Sequence, residues 1–157
     1  MAMINGLGNF FALDIGTNAV RVIQLSPSGS DGWVLQHYGY ASVDERITSS
    51  NSAEGLRRLG EAIMTAYGQS GIHDKNVVIG LPSSKTFTTV IDVPFVSEAE
   101  LKGTLKYQID QYIPMAIEDA KVDWALLGQS LHDPKQQEVL FASAANSYAE
   151  TRLEFIE

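Results

Sequence analysis

Phe10-Phe11-Ala12-Leu13-Asp14-Ile15-Gly16-Thr17-Asn18-Ala19-Val20-Arg21-Val22-Ile23-Gln24-Leu25 is the stretch around which the chain is organised. Two apolar runs with β-branched residues flank a short polar turn, Gly16-Thr17-Asn18, and so predict a tight β-hairpin. Asp14 ends the first strand, which brings its carboxylate out beside the turn. Gly16 lets the backbone approach an anion closely. The turn adds N–H groups and two small polar side chains suited to a phosphate. An acid beside a phosphate cradle is repulsive unless a divalent cation sits between them through water. The stretch therefore predicts a metal–nucleotide site. Asp-x-Gly-Thr alone is short, and an ordinary hairpin turn accounts for it equally well, so the remainder of the chain has to decide.

At 157 residues the chain fits one ordinary domain or two small subdomains, able to bury roughly two-thirds of the unfolded surface. Hydrophobic residues make up 45%, a globular composition. Eleven Lys and Arg against 19 Asp and Glu give a formal charge of −8. That balance disfavours binding to nucleic acid or to an anionic membrane surface. The absence of cysteine excludes disulfides, thiol catalysis and Cys-ligated zinc, and suits a reducing compartment. No apolar run approaches the roughly 20 residues needed to span a bilayer, and Met1–Asn9 lacks the pattern of a secretory signal. A cytoplasmic protein without direct membrane insertion is expected.

After the hairpin, Ser26–Gly32 is a turn-rich connector and Trp33 to about Val43 a third strand. Tyr38, Tyr40 and Ser42 fall on the opposite face from Gly39, Ala41 and Val43. Asn51 with Glu54 resembles a capping box, followed by Leu56, Leu59, Ile63 and Tyr67 at helical spacing, with an end near Gly68 or Gly71. Val77–Pro82 is an all-apolar run after a helix, expected as a buried parallel strand. Thr86–Val93 is a further strand. Ser97 with Glu100 caps a helix carrying Leu101, Leu105, Ile109 and Tyr112, which Pro114 ends. Val122, Trp124 and Leu126 alternate as a strand, Gln129–Gln137 is a loop, and Glu138–Ala145 a second strand. Ser147–Glu157 is expected as a helix with Ala149, Leu153 and Ile156 inward. That last helix stops without a capping glycine, and the first half lacks a partner for its other sheet face. The chain is thus expected to be a portion of a longer protein.

The opening hairpin resembles the first phosphate loop of the actin, Hsp70 and sugar-kinase superfamily. The second half narrows this. Ser97-Glu98-Ala99-Glu100-Leu101, then Tyr107-Gln108-Ile109-Asp110-Gln111-Tyr112-Ile113-Pro114-Met115-Ala116-Ile117-Glu118-Asp119-Ala120 and Val122-Asp123-Trp124, resemble the PilM family of type IV pilus assembly proteins. That family shows a helix ending in Glu-Gln-Tyr-Ile-Pro-Phe, an acidic step and a strand with Asp-Tyr. Here the helix ends Asp110-Gln111-Tyr112-Ile113-Pro114-Met115, and the later pair is Asp123-Trp124. The likeness runs from about Phe10 to Ile156, and its Gln-Tyr-Ile-Pro segment is the discriminating part.

The resemblance implies an α/β fold akin to the cell-division protein FtsA. Residues 1–84 would form the first part of an actin-like (ribonuclease H-like) 1A subdomain, β-β-β-α-β. Residues 85–157 would form an inserted 1C-type subdomain, β-α-β-β-α. It also implies an ATP-binding scaffold, peripheral to the inner membrane through protein partners, that serves pilus assembly and twitching motility. The partners would be the N-terminal segment of a PilN-like membrane protein and other pilus platform proteins. Asp14 would orient a hydrated Mg ion, and Gly16, Thr17 and Asn18 would hold phosphate oxygens. Arg21 would contact phosphate where relatives often carry Lys, offering a planar fork in place of a point charge; residue parity, which groups Arg21 with Ile23 and Leu25, is equally compatible with a structural pairing. No residue is assigned a catalytic role. The peptide surface is expected between the subdomains, with Leu105, Ile109 and Tyr112 as candidates, although a stripe at this spacing is more commonly subdomain core. One phosphate hairpin cannot enclose a nucleotide, so weak or no ATP binding is expected of residues 1–157 alone.

Other signals carry less. His37, His73 and His132 lack metal-ligand spacing. Gly80–Thr86 superficially suggests a P-loop, but Ile79 and Ser84 stand where both loop glycines belong. Glu98 and Glu100 complement the dipole of a helix start. The competing functions are a sugar kinase-like phosphotransferase, which would leave the Gln-Tyr-Ile-Pro segment unexplained, and an FtsA-like filament subunit.

Overall fold

A computed structural model describes residues 9–29, 32–108, 111–154 and 156. The chain divides into two compact units between Gly80 and Leu81. The first contains strands β1 (Phe11–Ile15), β2 (Ala19–Ser28) and β3 (Gly32–Ser42), helices α1 (Glu45–Thr48) and α2 (Ala53–Ser70), and strand β4 (Val77–Ile79). Its four-stranded sheet has the order β3-β2-β1-β4. The first three strands form the expected antiparallel meander, and β4 joins β1 in parallel with Phe11 opposite Val77. All three residues of β4 are half-buried, so the expectation of full burial does not hold: among the described residues no strand pairs with its outer edge.

Helix α2 covers one sheet face. Leu13, Val20, Val22 and Ala41 from the strands meet Leu59 and Ala66 of the helix in the core. Phe11 packs on Tyr67, ring centroids 5.3 Å apart. The expected stripe of Leu56, Leu59, Ile63 and Tyr67 is displaced: its buried centre is Gly55, Leu59, Ala66 and Ser70. The cause lies in β3. A Cβ on Gly39 would fall 2.1 Å from the Ala66 carbonyl oxygen, so glycine there lets the small-residue flank of the helix seat directly on the strand. The helix ends where Gly71 takes a left-handed φ of 77°.

The second unit contains β5 (Thr86–Pro94), α3 (Glu98–Gln108), β6 (Ala120–Gln129), β7 (Gln136–Ala145) and α4 (Asn146–Glu154), with sheet order β5-β7-β6. Both pairings are antiparallel. The expected β-α-β-β-α order is present. Period-2 alternation along β7 sends Val139 and Phe141 into a core with Val93, Leu101, Leu105 and Ile113. A bulge between Leu126 and Gly128 shortens the β6 ladder, and Gly128 accommodates it with φ of 123°. The inward set expected for the last helix is wrong in part. Leu153 is half exposed, while Arg152 is buried with its guanidinium carbon 5.1 Å from the Tyr148 ring centre. The aromatic face substitutes for apolar contact. Among the described residues, no helix is long and apolar enough to cross a membrane.

Candidate functional site

The β1–β2 register sets Asp14 directly opposite Arg21. The neighbouring cross-strand pair, Leu13 opposite Val22, is buried toward α2. Strand alternation therefore puts the acid and the base together on the other face, beside the turn. The Arg21 Nη1 donates to Asp14 Oδ2 at 3.0 Å, with both side chains more than half exposed. An ion pair thus supplies a positive charge at the place where the sequence called for a cation.

The turn itself is held from behind. Gly16 N–H donates to the Ala19 carbonyl at 3.0 Å, and Val43 N–H to the Asn18 carbonyl at 3.0 Å. Thr48 Oγ1 of α1 donates to the Thr17 carbonyl at 3.1 Å. The carbonyls of Thr17 and Asn18 are therefore both engaged. Their N–H groups meet no acceptor among the described residues, and both residues are exposed. Gly16 spends its own N–H on closing the hairpin. Its lack of a side chain serves the ion pair: a Cβ there would stand 2.8 Å from Arg21 Nη1 and 3.1 Å from the Ala19 oxygen.

These groups fit a phosphate with a hydrated divalent ion. The turn offers two unspent N–H donors, a hydroxyl and an amide beside the Arg21 guanidinium and the exposed Asp14 carboxylate, whose second oxygen meets no donor among the described residues. Among the described residues, no cluster of three His, Asp or Glu side chains forms an all-protein metal cage. A Mg ion here would be held through water and phosphate oxygens.

Short helix α1 escapes the hydropathy pattern because it buries no residue. Its available signal is Asp44 before Glu45, a capping residue before an acidic first turn; the Asp44 carboxylate accepts from Arg46 N–H at 2.8 Å. Of the three candidate docking residues, Leu105 is 1% exposed within the second unit's core, with no surface to offer a peptide. Tyr112 is half-buried, stacked on Phe141 at 6.0 Å between ring centres. Ile109 lies outside the described residues. The Gly80–Thr86 segment leads through a single turn, Ser83–Lys85, into strand β5, so no helix start is present to receive a phosphate.

A family model described as Type IV pilus assembly protein PilM matches residues 12–157. The chain belongs to the PilM family of type IV pilus assembly proteins. Among solved structures, it is similar to a chain of a PilM-PilN type IV pilus biogenesis complex, with TM-score 0.71 and 18% identity. That likeness takes in 96% of this chain and 44% of the other, so the PilM-family chain spans less than half of that relative's length. The shared architecture is a partial actin-like fold of mixed α/β type. A remoter likeness, TM-score 0.49 at 15% identity, is to the cytoplasmic domain of EpsL, an inner-membrane component of the Vibrio cholerae type II secretion system. It covers 95% of this chain and 52% of the EpsL domain.

Proposed function

We propose that this PilM-family chain supplies the first phosphate hairpin and a partner-docking module of a cytoplasmic ATP-binding scaffold in the type IV pilus platform. The observation that carries the reading is the Asp14–Arg21 pair beside two unspent turn N–H groups, in a family whose members assemble pili. Bound ATP with Mg would supply charge and shape to organise the protein. Asp14 would hold the hydrated ion, Thr17 and Asn18 would donate to phosphate oxygens, and Arg21 would exchange its carboxylate partner for phosphate. The partner is the N-terminal segment of a PilN-like membrane protein, in line with the complex that the solved relative forms. Through that segment the scaffold would be held peripheral to the inner membrane. Turnover of ATP is secondary in this reading.

The test is calorimetric titration of a PilN-type N-terminal peptide into the full-length protein that contains this chain, with and without Mg-ATP. Binding that strengthens with nucleotide, and weakens in Asp14→Ala with an unchanged melting temperature, is the expected result. No peptide binding together with efficient phosphorylation of a sugar would overturn it.

A further inference from the structure

Among the described residues, strand β3 is the outer strand of the first sheet, eleven residues long from Gly32 to Ser42. It lacks the charges and proline that commonly protect such an edge, with no Lys, Arg, Asp, Glu or Pro, and its one protective irregularity, a bulge at Gln36, lies outside the stretch from His37 to Ser42. Its backbone direction follows from two hydrogen bonds. Val43 N–H reaches the Asn18 carbonyl toward β2, whereas Gly16 N–H reaches Ala19 on the β1 side. Alternation along an antiparallel ladder then turns the odd-numbered residues of β3 toward β2 and leaves Tyr38, Tyr40 and Ser42 with N–H and C=O pointing outward. That regular stretch is bounded by the bulge at Gln36, since Gln24 pairs with His37 and Leu25 with Leu35.

We propose that β3 pairs antiparallel with β3 of a second copy, about a two-fold axis at Tyr40, joining two four-stranded sheets into one. Tyr40 would face Tyr40 of the other copy, and Tyr38 would face Ser42, which uses every outward residue of the regular stretch. The strand suits itself as a partner because it is uncharged, so two chains each of formal charge −8 meet without like charges opposed across the ladder. Helix α2 supports the same axis. It runs antiparallel to β3, with Ser70 beside His37 and Ala66 over Gly39. A cavity of about 540 Å³ opens along the edge between Tyr40–Asp44 and the flank of α2 that bears Glu61, Thr65 and Gln69. An axis at Tyr40 passes the level of Thr65 and sets Glu61 of one copy against Gln69 of the other, a carboxylate facing an amide donor.

The natural absence of cysteine makes the test direct. A single Tyr40→Cys has no partner within its own chain. Residues opposed in a hydrogen-bonded pair lie about 5.5 Å apart at Cα, within disulfide reach. Sedimentation velocity of the chain should show a reversible dimer, and mild oxidation of Tyr40→Cys should give a covalent one. Tyr40→Pro removes only an outward N–H, leaves the β2–β3 ladder intact and should give a monomer with unchanged far-UV circular dichroism. Should that variant misfold, Tyr40→Lys, which sets two like charges face to face on the axis, should likewise abolish the dimer. A wild-type chain monomeric at every concentration, a dimer that survives Tyr40→Lys, or a β3 edge that takes up only a strand from a different protein would overturn the proposal.

Discussion

Glycines 16 and 39 both sit where a side chain would meet a neighbour, but the neighbours differ in stiffness. At Gly16 the nearer obstacle is the end of the Arg21 side chain, 2.8 Å from a built Cβ, and that guanidinium has solvent to move into. Gly16→Ala should therefore swing Arg21 away from Asp14 and cost less than about 1 kcal/mol, the ceiling for an exposed ion pair. Guanidinium NMR signals with a thermal melt check this. At Gly39 the obstacle is backbone, the Ala66 carbonyl oxygen at 2.1 Å. Gly39→Ala has to lift α2 off β3 and should cost about 1–3 kcal/mol by overpacking, measured by urea unfolding. The same reasoning marks what sequence shows at this scale. Asp14, Gly16 and Arg21 were visible as members of one site, but their mutual contact was not, because it depends on the cross-strand register.

Capping separates helices α2 and α3 at the scale of the element. Ser97 and Glu100 form the expected reciprocal box: the Glu100 carboxylate accepts from Ser97 N–H at 3.0 Å, and Ser97 Oγ accepts from Glu100 N–H at 3.3 Å. For α2 the expected pair of Asn51 and Glu54 is out by one residue. The cap is Ser52, whose Oγ accepts from Gly55 N–H at 3.1 Å, and Gly55 has no side chain to return the bond. Ser52→Ala should cost about 1 kcal/mol, read from a thermal melt. Glu54 is free to take hydrogen bonds from Arg57 and Arg58, which hold its carboxyl at about 2, against an ordinary value of 4.5. A depressed folded value stabilises the ionised form. The contribution is complete above pH 4.5 and fades as pH falls through about 2. Glu54→Gln should flatten the pH dependence of amide exchange in α2 across that window; an unchanged slope would show that these exposed pairs contribute nothing there.

Each unit has a core drawn from its own residues. The second is centred on Phe141, 0% exposed, packed with Val93, Leu101, Leu105 and Val139. Phe141→Ala should cost about 3–5 kcal/mol, with the loss of amide protection falling on β5, β6, β7 and α3. The first unit depends on α2 covering Val20 and Val22, and leaves the opposite sheet face with Ile23, Tyr38 and Tyr40 exposed. That face carries Asp14 and Arg21, so the candidate site lies on the side of the sheet away from α2.

Local pattern was enough for the order of strands and helices, the family likeness and the residues of the hairpin, since turn chemistry, period-2 and period-3.6 hydropathy are properties of neighbours along the chain. It also placed Tyr38 and Tyr40 on the face opposite Gly39. Tertiary structure alone decided which flank of α2 is buried, that Arg152 in place of Leu153 turns inward, and that Asp14 is neutralised by Arg21. Those outcomes rest on contacts between segments distant in sequence, where one missing Cβ or one aromatic face outweighs the hydrophobic count of the segment itself.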